Sequence, residues 1–513
     1  MPNHSPSHSQ TVSERGVLVI LVALVLFSAS VSVLFFLNEG IRLDEAQSLW
    51  QTSQSPEEIL KMLSDNVHVP GYHLTLHVWQ SVLTPTVTTG RALSLLFFLL
   101  TIPALYKLGE YAYSRVTGLF AATLFAISPF MNWFGNEIRM YTLFALLTTL
   151  SHYFYLKLWH KQPAWVWLCY TAIAVVGIYT HYFFAFVLFA QAVYFFFNRQ
   201  QFHSRALQTF GASALVVALL FLPWILFVFT GADGGVGSQP FLLSPTPVNL
   251  FNAFSHFFFG FQPDTINTLI VSLWPLIALA GFLALHEQRS ASPVTTYLLI
   301  GFVLPVTIAF VVSILITPIF LSRYLVLAVM PIFLFVSWIV MNYPRTLSGI
   351  VQIALVLLML TTLTVEAFHP QTPVRENFRE AVADINREAT ERDMIVLSAP
   401  FTVYPFDYYY TGNSGVYTIP PWNRYRGEAL PSFSEEDMDA LMRQNAPWRD
   451  RVWLLVSFDQ GYQDKVEHYF DNSFTQIDHR VYSPGLELYV YEVPDWYDDD
   501  RATEVATENN TGS

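Results

Sequence analysis

Gly16–Leu37 reads GVLVILVALVLFSASVSVLFFL, 22 residues with no ionisable side chain. A helix needs about 20 such residues to cross the hydrocarbon layer of a bilayer, so this stretch predicts a membrane span. It follows a polar segment ending at Arg15, runs longer than a signal-peptide core and has no small-residue cleavage site before Asn38. The expectation is therefore an uncleaved first span.

The same signal recurs along the chain. Eleven spans are expected, at roughly 16–37, 90–108, 117–131, 138–157, 164–180, 182–197, 206–229, 266–285, 294–315, 322–341 and 348–366. The low charged fraction, 13% of 513 residues, and a mean hydropathy of +0.39 agree with a multi-pass α-helical membrane protein.

Basic residues in short loops set the orientation. With residues 1–15 as a cytoplasmic tail, the junctions on that side hold Lys107 and Arg115, Lys157 and Lys161, Arg199 and Arg205, Arg289, and Arg345. An odd number of spans then leaves the C-terminal portion extracytoplasmic. The outer loops 38–89 and 231–264 are long, and the second opens on the Gly-rich run Gly231–Gly235. Within them, 68–83 and 248–261 are aromatic and apolar but too short to cross, and read as interfacial helices.

Beyond residue 369 the composition changes. Of 39 acidic and 26 basic residues, 26 and 12 lie there, a net −14 against +1 for the rest. Such acidity argues against a nucleic-acid partner. Phe378, Ala381, Val382 and Ile385 fall at helical spacing; Met394–Ala399, Val452–Ser457 and Leu486–Val493 read as strands; Gln463–Phe470 reads as a helix. A small soluble α/β domain is expected over 374–494, followed by an acidic, disordered tail over 495–513 that carries an Asn509 glycosylation sequon. Cys169 is the only cysteine, so neither an intrachain disulfide nor a thiolate metal cluster can form.

Candidate chemistry gathers at the outer span ends. Asp44-Glu45, just beyond the first span, pairs two carboxylates beside Arg42. The pair reads either as a solvated span end or as a base that takes a proton from an attacking hydroxyl. Two outer segments place Arg beside or near Tyr: Asn136-Glu137-Ile138-Arg139-Met140-Tyr141 and Ser322-Arg323-Tyr324. Outer-side arginines run against the basic-inside trend, and they suit a leaving phosphate that gains charge. They also suit snorkelling within an aromatic belt. Thr180-His181-Tyr182 and His68-Val69-Pro70-Gly71-Tyr72-His73 lie on the same side. The spacing of His68, His73 and His77 fits poorly with a metal site; no cofactor is expected, and a divalent ion is left open.

Taken together, Leu43-Asp44-Glu45-Ala46, His68-Val69-Pro70-Gly71-Tyr72 with Trp79, Glu137-Ile138-Arg139-Met140-Tyr141, Tyr179-Thr180-His181-Tyr182 and Ser322-Arg323-Tyr324 with Pro331 resemble a known family. It is glycosyltransferase family 39 and its relatives, the protein O-mannosyltransferases and lipid A aminoarabinose transferases of the GT-C superfamily. The resemblance implies a GT-C-like membrane domain over 16–368 and an inverting, single-displacement transfer from a polyprenyl-phosphate-linked sugar. It implies Asp44 as catalytic base, with Glu45 assisting it or binding the acceptor. Arg139 and Arg323, with Tyr141 and Tyr324, become carrier-phosphate contacts; His68, Tyr72, His181 and Tyr182 become substrate contacts. Asn377–Asp393 and Tyr404–Tyr410 resemble the soluble tail of prokaryotic members.

The chain has Val69-Pro70 where the family pattern has two prolines, and it lacks the inserted lumenal region of eukaryotic protein O-mannosyltransferases. A glycan or lipid acceptor therefore stands beside a protein one, and the resemblance implies mannose or a similar hexose or pentose as the sugar. The competing expectations are a transporter of lipid-linked sugar, which would call for repeats or paired broken helices, and a non-catalytic envelope scaffold.

Overall fold

The computed structural model describes residues 12–64, 68–230, 244–272, 292–426 and 430–494. The Gly231–Gly235 run, the acidic tail with Asn509, most of the N-terminal tail and part of the span expected at 266–285 lie outside them. The chain divides into two compact units, one of residues 1–38 and 51–369, the other of residues 39–50 and 370–513.

The first unit is a helical membrane domain. Six described helices are long and apolar enough to cross a bilayer: Glu14–Leu34, Val87–Ala112, Ala206–Thr230, Pro293–Leu315, Ser322–Asn342 and Arg345–Phe368. Ala164–Thr180 and Phe184–Phe197 are apolar but shorter. The span expected at 117–131 is broken. Arg115–Ile127 and Pro129–Gly135 meet at 62°, because Pro129 drives Ser128 out of the helical region. Ser128 then serves both pieces, capping the new helix at Met131 N–H (3.2 Å) and donating its hydroxyl to Phe257 O (3.0 Å). The expected interfacial segments are the helices Pro70–Val82 and Pro247–Phe259.

Burial sorts the spans. Ser322–Asn342 is largely buried within the bundle, whereas Glu14–Leu34, Ala206–Thr230 and Arg345–Phe368 keep most of their apolar residues on its surface, as lipid contact requires. A polar network near one end ties four helices together. The Gln191 amide donates to Ser151 Oγ (2.9 Å), Gln191 accepts from the Tyr155 and Tyr170 hydroxyls (2.7 Å each), and His152 Nδ1 meets the Tyr297 hydroxyl. Polar groups in an apolar bundle persist when they satisfy one another in this way.

The second unit is built on a five-stranded sheet: β1 Met394–Ser398, β2 Gly415–Ile419, β3 Arg451–Ser457, β4 Thr475–Ser483 and β5 Leu486–Glu492. The order is β2-β1-β3-β5-β4, parallel across β2-β1-β3 and antiparallel across β3-β5-β4. β1 is buried along its whole length and alternates between two cores. Met394 and Val396 face Met438, Met442, Val466 and Phe470, while Ile395 and Leu397 face Phe378, Ala381, Ile385 and Phe406. This two-sided burial explains the unbroken apolar run that marked it in the sequence. Asp393, fully buried before β1, accepts from Arg451 Nη2 (2.7 Å) and Thr390 N–H (2.7 Å).

Residues 39–50, which the sequence places with the first outer loop, group with this soluble unit. Glu39 pairs with Arg375 (3.1 Å), Ile41 N–H donates to the Tyr409 hydroxyl (2.8 Å) and Leu43 N–H donates to Glu376 Oε2 (2.6 Å). These partners lie more than 300 positions away in the chain, beyond the reach of a local sequence pattern.

Candidate active site

In the membrane unit, the Pro70-Gly71 helix start packs against the end of Ala164–Thr180. A Cβ on Gly71 would lie 2.5 Å from Tyr179 O, an immovable backbone atom. The glycine therefore allows two of the sequence motifs to interlock. Gly71→Ala is expected to shift this contact, destabilising the protein by about 1–3 kcal/mol and lowering activity with it. A wild-type melting temperature in detergent would contradict that.

One residue farther, the Tyr72 hydroxyl lies 3.0 Å from Ser94 Oγ, which donates to Arg139 O (3.4 Å). His73 flanks both Tyr72 and His68, with ring centroids 6.1 and 5.9 Å apart. Arg139 sits in a tight link between Pro129–Gly135 and Tyr141–Lys157, where its own N–H reaches Glu137 O (2.8 Å). Arg139, Tyr72 and His73 are all buried.

The second Arg–Tyr pair gathers around His181. The Ala164–Thr180 helix stops where His181 turns extended, and Phe184 N–H closes the turn on His181 O (2.9 Å). The imidazole stacks on Phe144 (4.8 Å, 6° between planes) and also meets Tyr324 (5.3 Å) and Tyr141 (6.4 Å). The Arg323 guanidinium lies over the Tyr324 ring at 5.6 Å. Tyr141, Tyr324, His181 and Arg323, predicted from three distant segments, thus form one neighbourhood.

Phe183 N–H donates to His181 Nδ1 (3.1 Å). That nitrogen therefore lacks a proton, and the neutral ring presents its Nε2–H as a donor. Burial, then the Arg323 charge, pushes the His181 pKa down to about 3; burial, then Arg139, does the same for His73. Positive charge here belongs to the arginines, and the histidines act as neutral donors or packing surfaces.

The sign of the stability effect follows. Above the ordinary value of 6.5 neither state is protonated; below it the unfolded chain takes protons that the folded protein refuses. Stability should fall by about 1.4 kcal/mol per histidine for each pH unit below 6.5, until the folded value is reached. Thermal unfolding of the full-length protein at pH 7.5 and 5.5 is expected to show a lower midpoint in acid. A His73→Gln/His181→Gln variant should lose part of that slope, and an unchanged slope would refute the assignment.

Tyr182 is directed elsewhere. Its hydroxyl accepts from Trp224 Nε1 (3.0 Å), and it packs beside Ile59, Leu63 and Val69. Sequence reasoning missed Ser94, Phe144 and Arg91, a third arginine buried one turn before Ser94. It also missed His256, whose Nδ1 lies 2.9 Å from Ser322 Oγ, next to Arg323. Arg91 carried a signal, an arginine beside the start of an apolar run; the others are ordinary core types in sequence.

Leu43–Thr52 is a helix with Asp44 and Glu45 in its first turn, where the helix dipole favours anions. Glu45 is fully buried. Its Oε2 accepts Arg42 N–H (3.0 Å) and lies 3.4 Å from Arg42 Nε. A third-position Glu reaching back to the residue before the helix is half of a capping box, so Glu45 helps start the helix. Asp44 remains partly exposed. Among the described residues, no three His, Cys, Asp or Glu side chains form a group able to hold a metal ion.

The fold is that of the GT-C membrane glycosyltransferases. Residues 68–227 match the family model described as dolichyl-phosphate-mannose-protein mannosyltransferase. Among solved structures, the chain is similar to ArnT from Cupriavidus metallidurans in the apo state, with TM-score 0.57 at 10% identity over 94% of this chain and 99% of that one. It is also similar to the same enzyme bound to undecaprenyl phosphate, with TM-score 0.55 at 10% identity and the same coverage. An Archaeoglobus fulgidus oligosaccharyltransferase tethered to an acceptor peptide follows, with TM-score 0.50 at 10% identity over 95% of this chain and 75% of that one. A comparison with curated protein sequences gives no match. At this identity the structural likenesses establish the fold, and the family match covers residues 68–227 of the 513.

Proposed function

We propose that this protein transfers a sugar from a polyprenyl-phosphate carrier to an acceptor glycan, lipid or protein on the extracytoplasmic side of the cell membrane, with inversion. The observation that carries the reading is the gathering of Arg323, Tyr324, His181 and Tyr141 at helix ends. A guanidinium that cannot deprotonate, a neutral His N–H donor and tyrosine hydroxyls suit a phosphate whose charge grows as the glycosidic bond breaks. Arg139, set on the Ser94–Tyr72 chain, supplies the second cation, and His68 and Tyr72 line the sugar side.

Asp44 takes the acceptor hydroxyl proton as that oxygen attacks the anomeric carbon. Glu45 holds the Asp44 helix and so places the base. Undecaprenyl phosphate bound to the ArnT structure supports the carrier class. Mannose, the sugar named in the matching family description, is the first donor to try.

Mass spectrometry of envelope glycans, lipids and proteins from cells with and without the gene tests the reading. A hexose or pentose missing from one acceptor class supports transfer. Unchanged glycans, together with movement of donor lipid across a reconstituted bilayer, would favour the transport alternative.

A further inference from the structure

Away from the acidic helix start, the soluble unit carries an aromatic cluster built around one arginine. The Arg424 guanidinium lies over three rings at once, Tyr425 (5.0 Å), Trp50 (5.3 Å) and Tyr404 (5.4 Å). The rings meet one another tilted or edge-on, Trp50 with Tyr404 at 5.3 Å and with Tyr425 at 5.8 Å. Arg424 Nη2 donates to Asp407 Oδ2 (2.6 Å) and to the Tyr425 hydroxyl (3.0 Å). Its side chain is 8% exposed, and among the described residues its Nε–H has no hydrogen-bond partner. Tyr425 is 73% exposed.

These features select a ligand chemistry. A large aromatic residue so open to water would gain by being covered, because apolar area removed from water is stabilising. The charge of Arg424 is already matched by Asp407, so the cluster is close to neutral and has little pull on a phosphate or carboxylate. It offers ring faces together with a buried N–H donor, a carboxylate and a phenol. A pyranose has the complementary surface, with C–H patches that stack on rings and hydroxyls that donate and accept at its rim.

We propose that Trp50, Tyr404, Arg424 and Tyr425, with Asp407, form a carbohydrate-binding subsite that holds a glycan acceptor. This deepens the transfer reading by choosing a glycan among its acceptor classes, and it rests on that reading for the word acceptor. The cluster binds a neutral hexose unit through Tyr425 stacking and Arg424 and Asp407 hydrogen bonds, and leaves sugar-phosphate recognition to the membrane unit.

The test uses the full-length protein in nanodiscs and a panel of soluble manno-, gluco- and galacto-oligosaccharides as probes, followed by saturation-transfer NMR and tryptophan fluorescence. Wild type should bind at least one member. Tyr425→Ala should weaken binding roughly tenfold, and Tyr425→Phe, which keeps the ring, should bind nearly as wild type. Because Tyr425 is exposed, its loss threatens the fold less than loss of Arg424, whose Ala variant serves as the second probe. Asp44→Asn should bind as wild type. Wild type binding no panel member, or Tyr425→Ala binding as wild type does, would overturn the subsite. Oligosaccharide binding that depends on Tyr425, in a protein whose Asp44→Asn variant still transfers sugar, would leave the subsite standing and remove the transfer mechanism.

Discussion

Replacing Asp44 with Asn is expected to abolish sugar transfer while the protein still inserts in the membrane and accumulates to its normal level. A positioned general base contributes roughly 10²–10⁴-fold, so the residual rate should lie at or below detection. The substitution keeps shape and removes only the charge and basicity. Asp44 is partly exposed, so little packing depends on it. Glu45→Gln should behave differently. That side chain is buried on Arg42 and starts the helix, so its loss should appear first as a lower thermal midpoint. Normal transfer by Asp44→Asn in reconstituted membranes would remove the base assignment.

The second large effect is expected at Arg323. Arg323→Ala should lower kcat for transfer by roughly 10²–10³-fold, the usual loss when one donor to a developing anion is removed. Arg323→Lys should recover only part of it, because an ammonium lacks the planar fork that grips two phosphate oxygens. Placement of Arg323 also depends on neighbours, since Tyr324 lies under the guanidinium and His256 meets Ser322 beside it. His256→Ala should therefore act in the same direction but more weakly. Equal rates for wild type and Arg323→Ala, at donor concentrations below KM, would rule out the phosphate role.

Much of the membrane unit was legible because a span announces itself by length and apolarity alone, as Gly16–Leu37 does. The break at Ser128–Pro129 lay inside one apolar run and needed the backbone rule for residues before proline to be weighed against it. In the soluble unit β1, β3 and β5 were visible as buried runs. β4 was not, because its residues alternate toward solvent at the sheet edge and TQIDHRVYS reads as polar loop. β2, short and opened by Gly415, was missed for a similar reason.

The candidate site was legible as residue types at span ends. The two Arg–Tyr pairs and His181 could be named from sequence, but the meeting of Tyr141 and Tyr324 at one imidazole could not, since it depends on packing between segments up to 183 positions apart. The grouping of Asp44 and Glu45 with the soluble unit was likewise hidden, because it rests on ion pairs and hydrogen bonds to Glu376, Arg375 and Tyr409.

Binding of undecaprenyl phosphate to the full-length protein in nanodiscs, compared with binding of the phosphate-free polyprenol, bears most directly on the claim that the Arg–Tyr–His cluster holds the carrier phosphate. Wild type and Asp44→Asn should prefer the phosphate equally, and Arg139→Ala and Arg323→Ala should each lose most of that preference. Arginine variants that keep the full preference while remaining folded would contradict it.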